Sequence, residues 1–332
     1  MIFVTGGTGL IGANLLALLN AQPNSLPIVA LARDPKKVPG HLLQLSNVKW
    51  VEGDILDTEC LFNAMRGAKQ VYHVGAFVSL ARRDRPQMFQ INVTGTANVV
   101  NAALENGVER MLHVSSIAAL GIPKDGNQIT EAFDGDLERP TWYAHTKLQG
   151  ELEVWRGIAE GLNAVIVNPC MVLGSNGSDF DRSSPLLFRQ TWEGVPFYPK
   201  GGTGFIDVRD VANLMLLLMQ STIVGERYIL SAENLSYRHI LSLIAQVYGK
   251  KPSNRPLTPL LEQLAWRAEG IKSFLTGRAP TLTRETLATT SKNRPCDNSK
   301  IKAAFPAFNF TPINETIERV CNEFLTINKL KI

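Results

Sequence analysis

The sequence has few cysteines and histidines, and their spacing argues against several kinds of site. The four cysteines, Cys60, Cys170, Cys296 and Cys321, are scattered over 332 residues without a CxxC pair. Such spacing supports neither a disulfide framework nor a zinc site and is typical of a reducing compartment. The five histidines, among them His73 and His113, form no HExxH motif. We therefore expect no bound metal, and we interpret these two histidines as hydrogen-bonded residues of the interior.

Strong charge of one sign and long apolar runs are also missing. The net charge is only +4 and no run of five lysines and arginines occurs, so nucleic-acid binding is not indicated. Residues 1–4 are apolar but have no basic residues before them, unlike a signal peptide. The apolar stretch 214–219 is too short to span a bilayer. We expect a soluble, cytoplasmic protein.

What the sequence does have is a regular alternation of short β-branched segments with longer helical patterns. The predicted strands are 2–5, 28–32, 48–52, 70–73, 110–115 and 164–168, and the predicted helices are 10–20, 58–65, 86–105 and 143–160. This alternation predicts an α/β fold with a doubly wound parallel sheet. After residue 168 the alternation weakens. We assign residues 1–170, with part of 205–232, to one domain, and residues 171–204 and 233–332 to a smaller substrate-binding lobe.

A glycine-rich segment lies between the first predicted strand and the first predicted helix. Gly7-Thr8-Gly9-Leu10-Ile11-Gly12 fits the pattern GxGxxG, and Gly6 precedes it. Glycine lets the backbone approach a pyrophosphate closely, and the amide groups and dipole at a helix N-terminus favour its negative charge. In this strand-to-helix context, the pattern predicts that residues 6–12 bind a dinucleotide.

The end of the second predicted strand should distinguish NADP from NAD. Arg33 comes first there and Asp34 follows it. A guanidinium group pairs with the 2′-phosphate of NADP, whereas a carboxylate accepts hydrogen bonds from the ribose of NAD. We favour NADP(H), with NAD(H) as the alternative in which Asp34 binds the ribose. Asp54, after the third strand, is placed either to bind the adenine or to cap the next helix.

Tyr143 and Lys147 are four residues apart in a predicted helix, so their side chains share one face. An unperturbed tyrosine has a pKa of about 10, and a nearby ammonium group favours its phenolate. We therefore expect Lys147 to lower the pKa of Tyr143 and make it a proton donor or acceptor. Ser115 and Ser116, where the fifth predicted strand ends, supply further hydroxyl groups.

With these motifs the sequence resembles the extended short-chain dehydrogenase/reductase family, in its branch similar to dihydroflavonol reductases and NAD-dependent epimerases and dehydratases. The resemblance covers almost the whole chain. The other motifs that carry it are Gly53-Asp54, His73-Val74-Gly75-Ala76, Asn92-Val93-Thr94-Gly95-Thr96, Asn168-Pro169 and Phe205-Ile206-Asp207-Val208-Arg209-Asp210. The resemblance implies a Rossmann-like NAD(P)-binding domain, a C-terminal substrate-binding lobe and an active site between them.

The resemblance also implies a role for each matching residue. Tyr143 would be the general acid in carbonyl reduction, Lys147 would hold the nicotinamide ribose, and Ser116, or else Ser115, would bind the substrate oxygen. Further cofactor contacts are implied for Ile55, Val74, Gly75, Ala76, Asn92, Val114, Pro169 and Val172. The helix that contains Trp155 would pack against a second copy in a homodimer, or else in the core.

Three functions are compatible with these motifs. The first is NADP(H)-dependent reduction of a ketone or aldehyde of a partly apolar small molecule, as in dihydroflavonol reductases. The second is NAD-dependent nucleotide-sugar epimerisation. Such epimerases usually carry an arginine that grips the substrate diphosphate at the place where residues 201–204 are glycine-rich here. In this chain Arg182, Arg189 or Arg209 would have to take over that role. The third is a non-catalytic NAD(P)-sensing module. Six apolar residues of the lobe would line a substrate pocket or form core: Phe180, Leu186, Leu187, Phe188, Trp192 and Phe197.

Overall fold

The computed structural model describes residues 1–23, 25–79, 81–123, 128–132, 137–138, 141–177, 180–181, 184–276 and 283–329. The strands are β1 (Ile2–Thr5), β2 (Ile28–Ala32), β3 (Val48–Glu52), β4 (Gln70–His73), β5 (Arg110–Val114), β6 (Ile122–Pro123), β7 (Leu137–Glu138), β8 (Ala164–Pro169), β9 (Met171–Leu173), β10 (Gly202–Asp207), β11 (Glu226–Leu230) and β12 (Glu233–Ser236). The helices are α1 (Leu10–Ala21), α2 (Gly40–Leu43), α3 (Thr58–Ala64), α4 (Arg85–Phe89), α5 (Gly95–Glu105), α6 (Ile117–Leu120), α7 (Trp142–Ala159), α8 (Pro185–Glu193), α9 (Val208–Gln220), α10 (Tyr237–Val247), α11 (Pro259–Thr276), α12 (Arg284–Thr290), α13 (Ser299–Ala304) and α14 (Ile313–Lys329). A π-helical turn, Gln90–Thr94, joins α4 to α5.

The main sheet has seven strands in the order β11-β8-β5-β4-β1-β2-β3. All of its neighbouring strands are parallel. The strand order reverses between β1 and β4, and in sheets of this kind a ligand binds at such a point, beyond the carboxyl ends of the strands. The predicted α/β fold with a doubly wound, Rossmann-like parallel sheet is confirmed. The proposed division into two domains stays a prediction, although β11 does lie in the main sheet.

The two faces of the sheet bury separate apolar cores because side chains alternate along each strand. Ile2 and Val4 face a core that includes residues of α1 and α9. Phe3, Val71 and Met111 stand side by side on the opposite face, over α3, α5 and α7. Because the sheet is buried on both faces, its strands are short, nearly continuous apolar segments.

A third core lies in the C-terminal half of the chain and includes residues of α8, α10 and α14. Phe180 and Phe188 belong to it, and Leu187 and Trp192 pack against it. These contacts agree with the core interpretation for four of the six apolar residues considered above, and a substrate pocket lined by any of the six stays a prediction. Leu186 and Phe197 are partly buried.

The predicted helix 86–105 is interrupted in the structure by the π-helical turn between α4 and α5. The extra residue of such a turn re-aims the neighbouring side chains. Asn92, within the turn, uses both ends of its amide: Nδ2 donates to the Phe77 carbonyl at 2.9 Å, and Oδ1 accepts from the Phe77 amide at 2.7 Å. The turn thereby fixes the chain that leaves β4.

Candidate active site

The glycine loop connects β1 to α1 at the point where the strand order reverses. Gly6 has a φ of +72°, and a Cβ atom there would lie 2.5 Å from the Gly75 nitrogen. A Cβ atom on Gly12 would lie 2.1 Å from the Gly6 carbonyl oxygen. Gly9 is the N-cap of α1, and no side chain caps it. The first amides of the helix are therefore available to an anion, which fits the pyrophosphate of a dinucleotide.

At the end of β2 the two candidate ribose-binding residues differ in their contacts. Asp34 caps a short 3-10 helix by accepting from the Lys36 amide at 3.1 Å, and it pairs with Lys37 at 2.9 Å. The hydrogen bond from Lys37 holds the pKa of the Asp34 carboxyl below its usual value. Arg33 is exposed, and no described residue forms an ion pair with it. The acidic side chain is thus engaged locally while the guanidinium group faces solvent.

Asp54 does not cap α3, which corrects one of the two interpretations of this residue. The N-cap is Asp57, whose Oδ1 accepts from the Cys60 amide at 3.0 Å. Asp54 instead accepts from the Leu56 amide at 2.9 Å within the turn that follows β3. Its role in binding adenine stays a prediction. Ile55 packs against the start of α5, where a Cβ on Gly95 would lie 2.5 Å from its Cδ1.

The three predicted catalytic residues come together at the carboxyl ends of the strands. Ser116 follows β5 and caps α6, accepting from the Ala118 amide at 3.2 Å. Thr141 caps α7 in the same way, and Tyr143 and Lys147 lie on the first two turns of that helix. The Ser116 hydroxyl lies near enough to the Tyr143 phenol to act on the pKa of that group. The Ser115 hydroxyl is buried without a partner among the described residues, so Ser116 is the serine that reaches Tyr143.

The pKa of Tyr143 is raised, whereas the sequence analysis expected Lys147 to lower it. Burial of the phenol raises this pKa, and the nearby Ser116 hydroxyl opposes the change. The Lys147 ammonium instead donates to the Val114 carbonyl at 3.0 Å. Burial lowers the pKa of Lys147 to about 8, against the attraction of Glu151. The structure therefore favours a protonated Tyr143 at neutral pH.

The other predicted cofactor contacts surround this site. Val74, Gly75 and Ala76 follow β4, and the Gly75 amide donates to the Thr5 hydroxyl at 3.2 Å. Pro169 ends β8 and Val172 lies in β9. Thr8, Leu10 and Ile11 lie on the glycine loop and the first turn of α1. All of these positions are near the carboxyl ends of strands, where a dinucleotide would bind, and their contacts with it stay predictions.

Comparison with known proteins decides the family. Residues 2–231 match the model of the NAD dependent epimerase/dehydratase family. The chain belongs to this family. A Synechocystis protein with the provisional name dihydroflavonol 4-reductase is 33% identical over 305 residues, covering 90% of this chain and 87% of that protein.

Two further matches agree with the family. Cinnamoyl-CoA reductase 1 of Petunia hybrida is 28% identical and covers 76% of this chain and 78% of the plant enzyme. The crystal structure of gox2253 superposes with a TM-score of 0.81 at 28% identity, covering 98% of both chains. As a member of the family, the protein is an NAD(P)-dependent oxidoreductase of the extended short-chain dehydrogenase/reductase type.

The two buried histidines of this oxidoreductase differ. His73 is hydrogen-bonded to the Thr5 hydroxyl at 2.7 Å and to the Thr96 hydroxyl at 3.0 Å, as expected of a buried polar residue. Neither ring nitrogen of His113 has a partner among the described residues, so the expectation of a hydrogen-bonded His113 is wrong. Within the described parts of the chain, no cluster of potential metal ligands occurs and no helix could cross a membrane.

Sequence reasoning missed a second segment that contacts the glycine loop. The chain after β9 reaches back to α1, where Asn14 Nδ2 donates to the Ser175 carbonyl at 2.9 Å. Asn176 Nδ2 lies 3.5 Å from the Thr8 carbonyl. No local pattern marks this contact, because its partners are 161 and 168 residues apart in sequence.

Of the three arginines considered for a nucleotide-sugar site, two are described and both lie near acidic side chains. Arg189 pairs with Asp181 and Glu193, and Arg209 is largely exposed and lies 3.8 Å from Glu323. Arg182 lies outside the described residues. The glycine positions of this stretch have no room for a side chain, since a Cβ on Gly201 would lie 2.1 Å from the Lys292 carbonyl oxygen.

The helix predicted to form a homodimer is α7. Val154 is fully buried in the core, and Trp155 and Ile158 pack against that core. These contacts agree with the core interpretation for this part of the helix, and the homodimer stays a prediction.

Proposed function

We propose that this protein is an NADPH-dependent reductase of a ketone or aldehyde group on a partly apolar small molecule. The observation that carries the proposal is the placement of the Ser116 hydroxyl near that of Tyr143, with Lys147 one helical turn beyond Tyr143 and bonded to the Val114 carbonyl at 3.0 Å. Two hydroxyls that meet in this way can both bind a single carbonyl oxygen. The relatives named for reducing dihydroflavonols and cinnamoyl-CoA support an aromatic or otherwise apolar substrate.

The chemistry follows from the protonation states of these residues. NADPH, when held by the glycine loop, supplies the hydride for the carbonyl carbon. Tyr143 holds a proton at neutral pH because burial raises its pKa, and it donates that proton to the substrate oxygen as negative charge develops there. Ser116 orients the oxygen through its hydroxyl. The Lys147 ammonium, one helical turn away, would hold the nicotinamide ribose, as the family resemblance implies.

The preference for NADP over NAD rests on the contacts at the end of β2. Asp34 is already bonded to the Lys36 amide and to Lys37, while Arg33 is exposed and lacks an ion-pair partner among the described residues. A free guanidinium group beside the adenosine site can form charge-assisted hydrogen bonds with a 2′-phosphate. Arg33 is therefore the residue that we propose to select NADP.

Calorimetric titration with NADPH and NADH tests this preference. Arg33→Ala should weaken NADPH binding by about 1.5 to 3 kcal/mol, the loss of charge-assisted hydrogen bonds, and leave NADH binding nearly unchanged. Arg66→Ala is the matched control, because Arg66 is an exposed arginine just after α3, bonded to Asn63. Equal loss of both cofactors in Arg33→Ala would contradict the proposal.

The epimerase and the non-catalytic module make different predictions for the same protein. An epimerase should co-purify with tightly bound NAD, and a sensing module should bind cofactor without turning over any carbonyl. The crowded backbone at Gly201 weighs against a phosphate-binding arginine there. The presence of both Tyr143 and Lys147 weighs against loss of catalysis.

A further inference from the structure

A layer of polar side chains lies between the main sheet and α7, directly beneath the candidate active site. The parallel register aligns Thr5 with His73 and His73 with His113, and it aligns both His113 and Arg227 with Ile166 of β8. We call seven polar residues of this region the polar layer: Thr5, His73, His113 and Arg227 on four strands of the sheet, Asn168 on β8, and Lys147 and Glu151 on α7. All seven are buried. Because buried charges are costly unless paired, each charge here needs an identified partner.

Glu151 is the residue of the polar layer with contacts on both sides. Its Oε1 accepts from Arg227 Nη1 at 2.9 Å, and its Oε2 accepts from Asn168 Nδ2 at 2.8 Å. The Glu151 and Arg227 side chains are 0% and 3% exposed, so this ion pair is withdrawn from solvent. Arg227 also donates to the Glu131 carbonyl at 2.9 Å. The carboxylate is therefore held in one orientation by donors on two different strands.

Asn168 connects this carboxylate to the catalytic serine. The Nδ2 atom that donates to Glu151 also lies 3.1 Å from the Ser116 carbonyl and donates to it. The backbone of Ser116 is thus tied to α7, the helix that carries Tyr143, through a single buried amide. Displacing Glu151 would release Asn168 and with it the backbone that presents the Ser116 hydroxyl.

Glu151 also provides the negative charge that acts on Lys147. Tyr143, Lys147 and Glu151 follow one another at intervals of four residues on one face of α7. The groups that face Lys147 from the sheet are His73 and His113. Both are neutral at pH 7, since burial lowers the pKa of His73 to about 3 and that of His113 well below its usual value.

The next charges are those of Arg227, which pairs with Glu151, and of Glu131, whose carboxylate accepts from the Ile229 amide at 2.9 Å. Burial lowers the pKa of Lys147 to about 8, and Glu151 opposes this change. Without the carboxylate, the ammonium group would face two neutral imidazoles and a guanidinium group.

We propose that Glu151 is a positioning residue for the reduction, whose carboxylate keeps Lys147 protonated and fixes the Ser116 backbone next to the Tyr143 hydroxyl. The inference rests on the proposed function, because it concerns the same Tyr143 and Lys147 site. It adds a residue that touches neither substrate nor cofactor and acts through Lys147 and Asn168.

The decisive variant is Glu151→Gln, which removes the charge and keeps the size of the side chain. The rate constant kcat/KM for NADPH-dependent carbonyl reduction should fall above about pH 8 in the wild type, as Lys147 loses its proton. In Glu151→Gln this basic limb should move to lower pH by about one unit, the shift expected from losing a nearby opposite charge. Glu151→Asp keeps the charge, so its basic limb should stay in place while kcat falls.

Glu153→Gln is the matched control. Glu153 lies on the same helix but pairs with the partly exposed Arg156 at 2.9 Å, so its loss should leave the basic limb unmoved. Glu151→Gln removes the buried carboxylate that pairs with Arg227, so this variant could fail to fold. The double variant Glu151→Met with Arg227→Met replaces the ion pair by apolar side chains, an exchange that proteins often tolerate. Its basic limb should also move down, by less than that of Glu151→Gln.

A second readout separates this inference from the proposed function. The pKa of Lys147 can be followed by NMR of ¹³Cε-labelled lysine, with the signal assigned by its loss in Lys147→Arg. A lower pKa in folded Glu151→Gln supports the role of Glu151 even if no carbonyl is turned over, in which case the proposed function fails alone. An unchanged pKa of Lys147 and an unchanged basic limb in the folded variants would overturn the inference. The proposed reductase function would still stand if the wild-type protein turned over a carbonyl.

Discussion

The aromatic cluster of the third core and the polar layer beneath α7 are both buried, but they are built on opposite principles. In the aromatic cluster the ring centroids of Phe180 and Phe324 are 5.0 Å apart and those of Trp192 and Tyr248 are 5.1 Å apart. Each pair is packed edge to face. Such contacts add to the stability gained from removing apolar area from water. The polar layer buries an ion pair and a lysine, which lowers the stability available from the same volume. We therefore propose that the polar layer serves the chemistry of the neighbouring Ser116 and Tyr143 hydroxyls rather than stability.

The largest expected effect is on turnover and comes from changing Tyr143, which lies next to the polar layer on α7. Tyr143→Phe removes the proton donor but keeps the ring, so kcat for carbonyl reduction should fall by about 10²- to 10⁴-fold. Affinity for NADPH, measured by calorimetry, and the urea midpoint should change little. Retained turnover would contradict the assigned role of Tyr143.

The opposite pattern is expected in the aromatic cluster. Phe324 is 3% exposed, and Phe324→Ala should reduce the free energy of unfolding by about 3 to 5 kcal/mol through lost burial and the cavity left behind. NADPH affinity of the folded fraction should stay the same. Urea unfolding followed by circular dichroism measures the loss, and Leu43→Ala, at a side chain that is 53% exposed, is the control. A parallel loss of NADPH affinity would show that the two regions are not independent.

The same contrast explains what could be predicted from the sequence. Six strands of the main sheet were predicted to within one residue, because buried strands are short apolar runs bounded by glycine and polar residues, whereas the two-residue strands β6 and β7 were not predicted. The glycine loop and the spacing of Tyr143 and Lys147 are equally local. The interruption of the helix at Asn92 could not be predicted, since it depends on hydrogen bonds to Phe77, 15 residues away.

Electrostatics was the least predictable property of the site. Glu151 and Arg227 are 76 residues apart in sequence, and no local pattern pairs them. The rise in the pKa of Tyr143 has the same origin, because burial depends on how α7 packs on the sheet rather than on the distance to Lys147 along the helix. That the ring nitrogens of His113 lack partners among the described residues likewise becomes evident only once the strands are placed side by side.

The smallest expected effect concerns His113 and the dependence of stability on pH. Burial keeps His113 neutral in the folded protein, whereas in the unfolded chain it takes up a proton below about pH 6.5. A folded pKa below the unfolded value means that the stability is fully present above pH 6.5 and is lost as the pH falls. Each such histidine steepens this loss by up to about 1.4 kcal/mol per pH unit.

His113→Leu should therefore make the decline in unfolding free energy between pH 6.5 and pH 5 shallower, with little change at pH 7.5. Urea titrations at several pH values measure the slope, and the exposed His239→Leu should leave it unchanged. Phe324→Ala, by contrast, should lower the whole curve by a similar amount at every pH, because no proton is exchanged in the aromatic cluster. An unaltered slope in His113→Leu would mean that His113 is charged in the folded protein. In that case the carboxylate of Glu151 would have a second cation to stabilise beside Lys147.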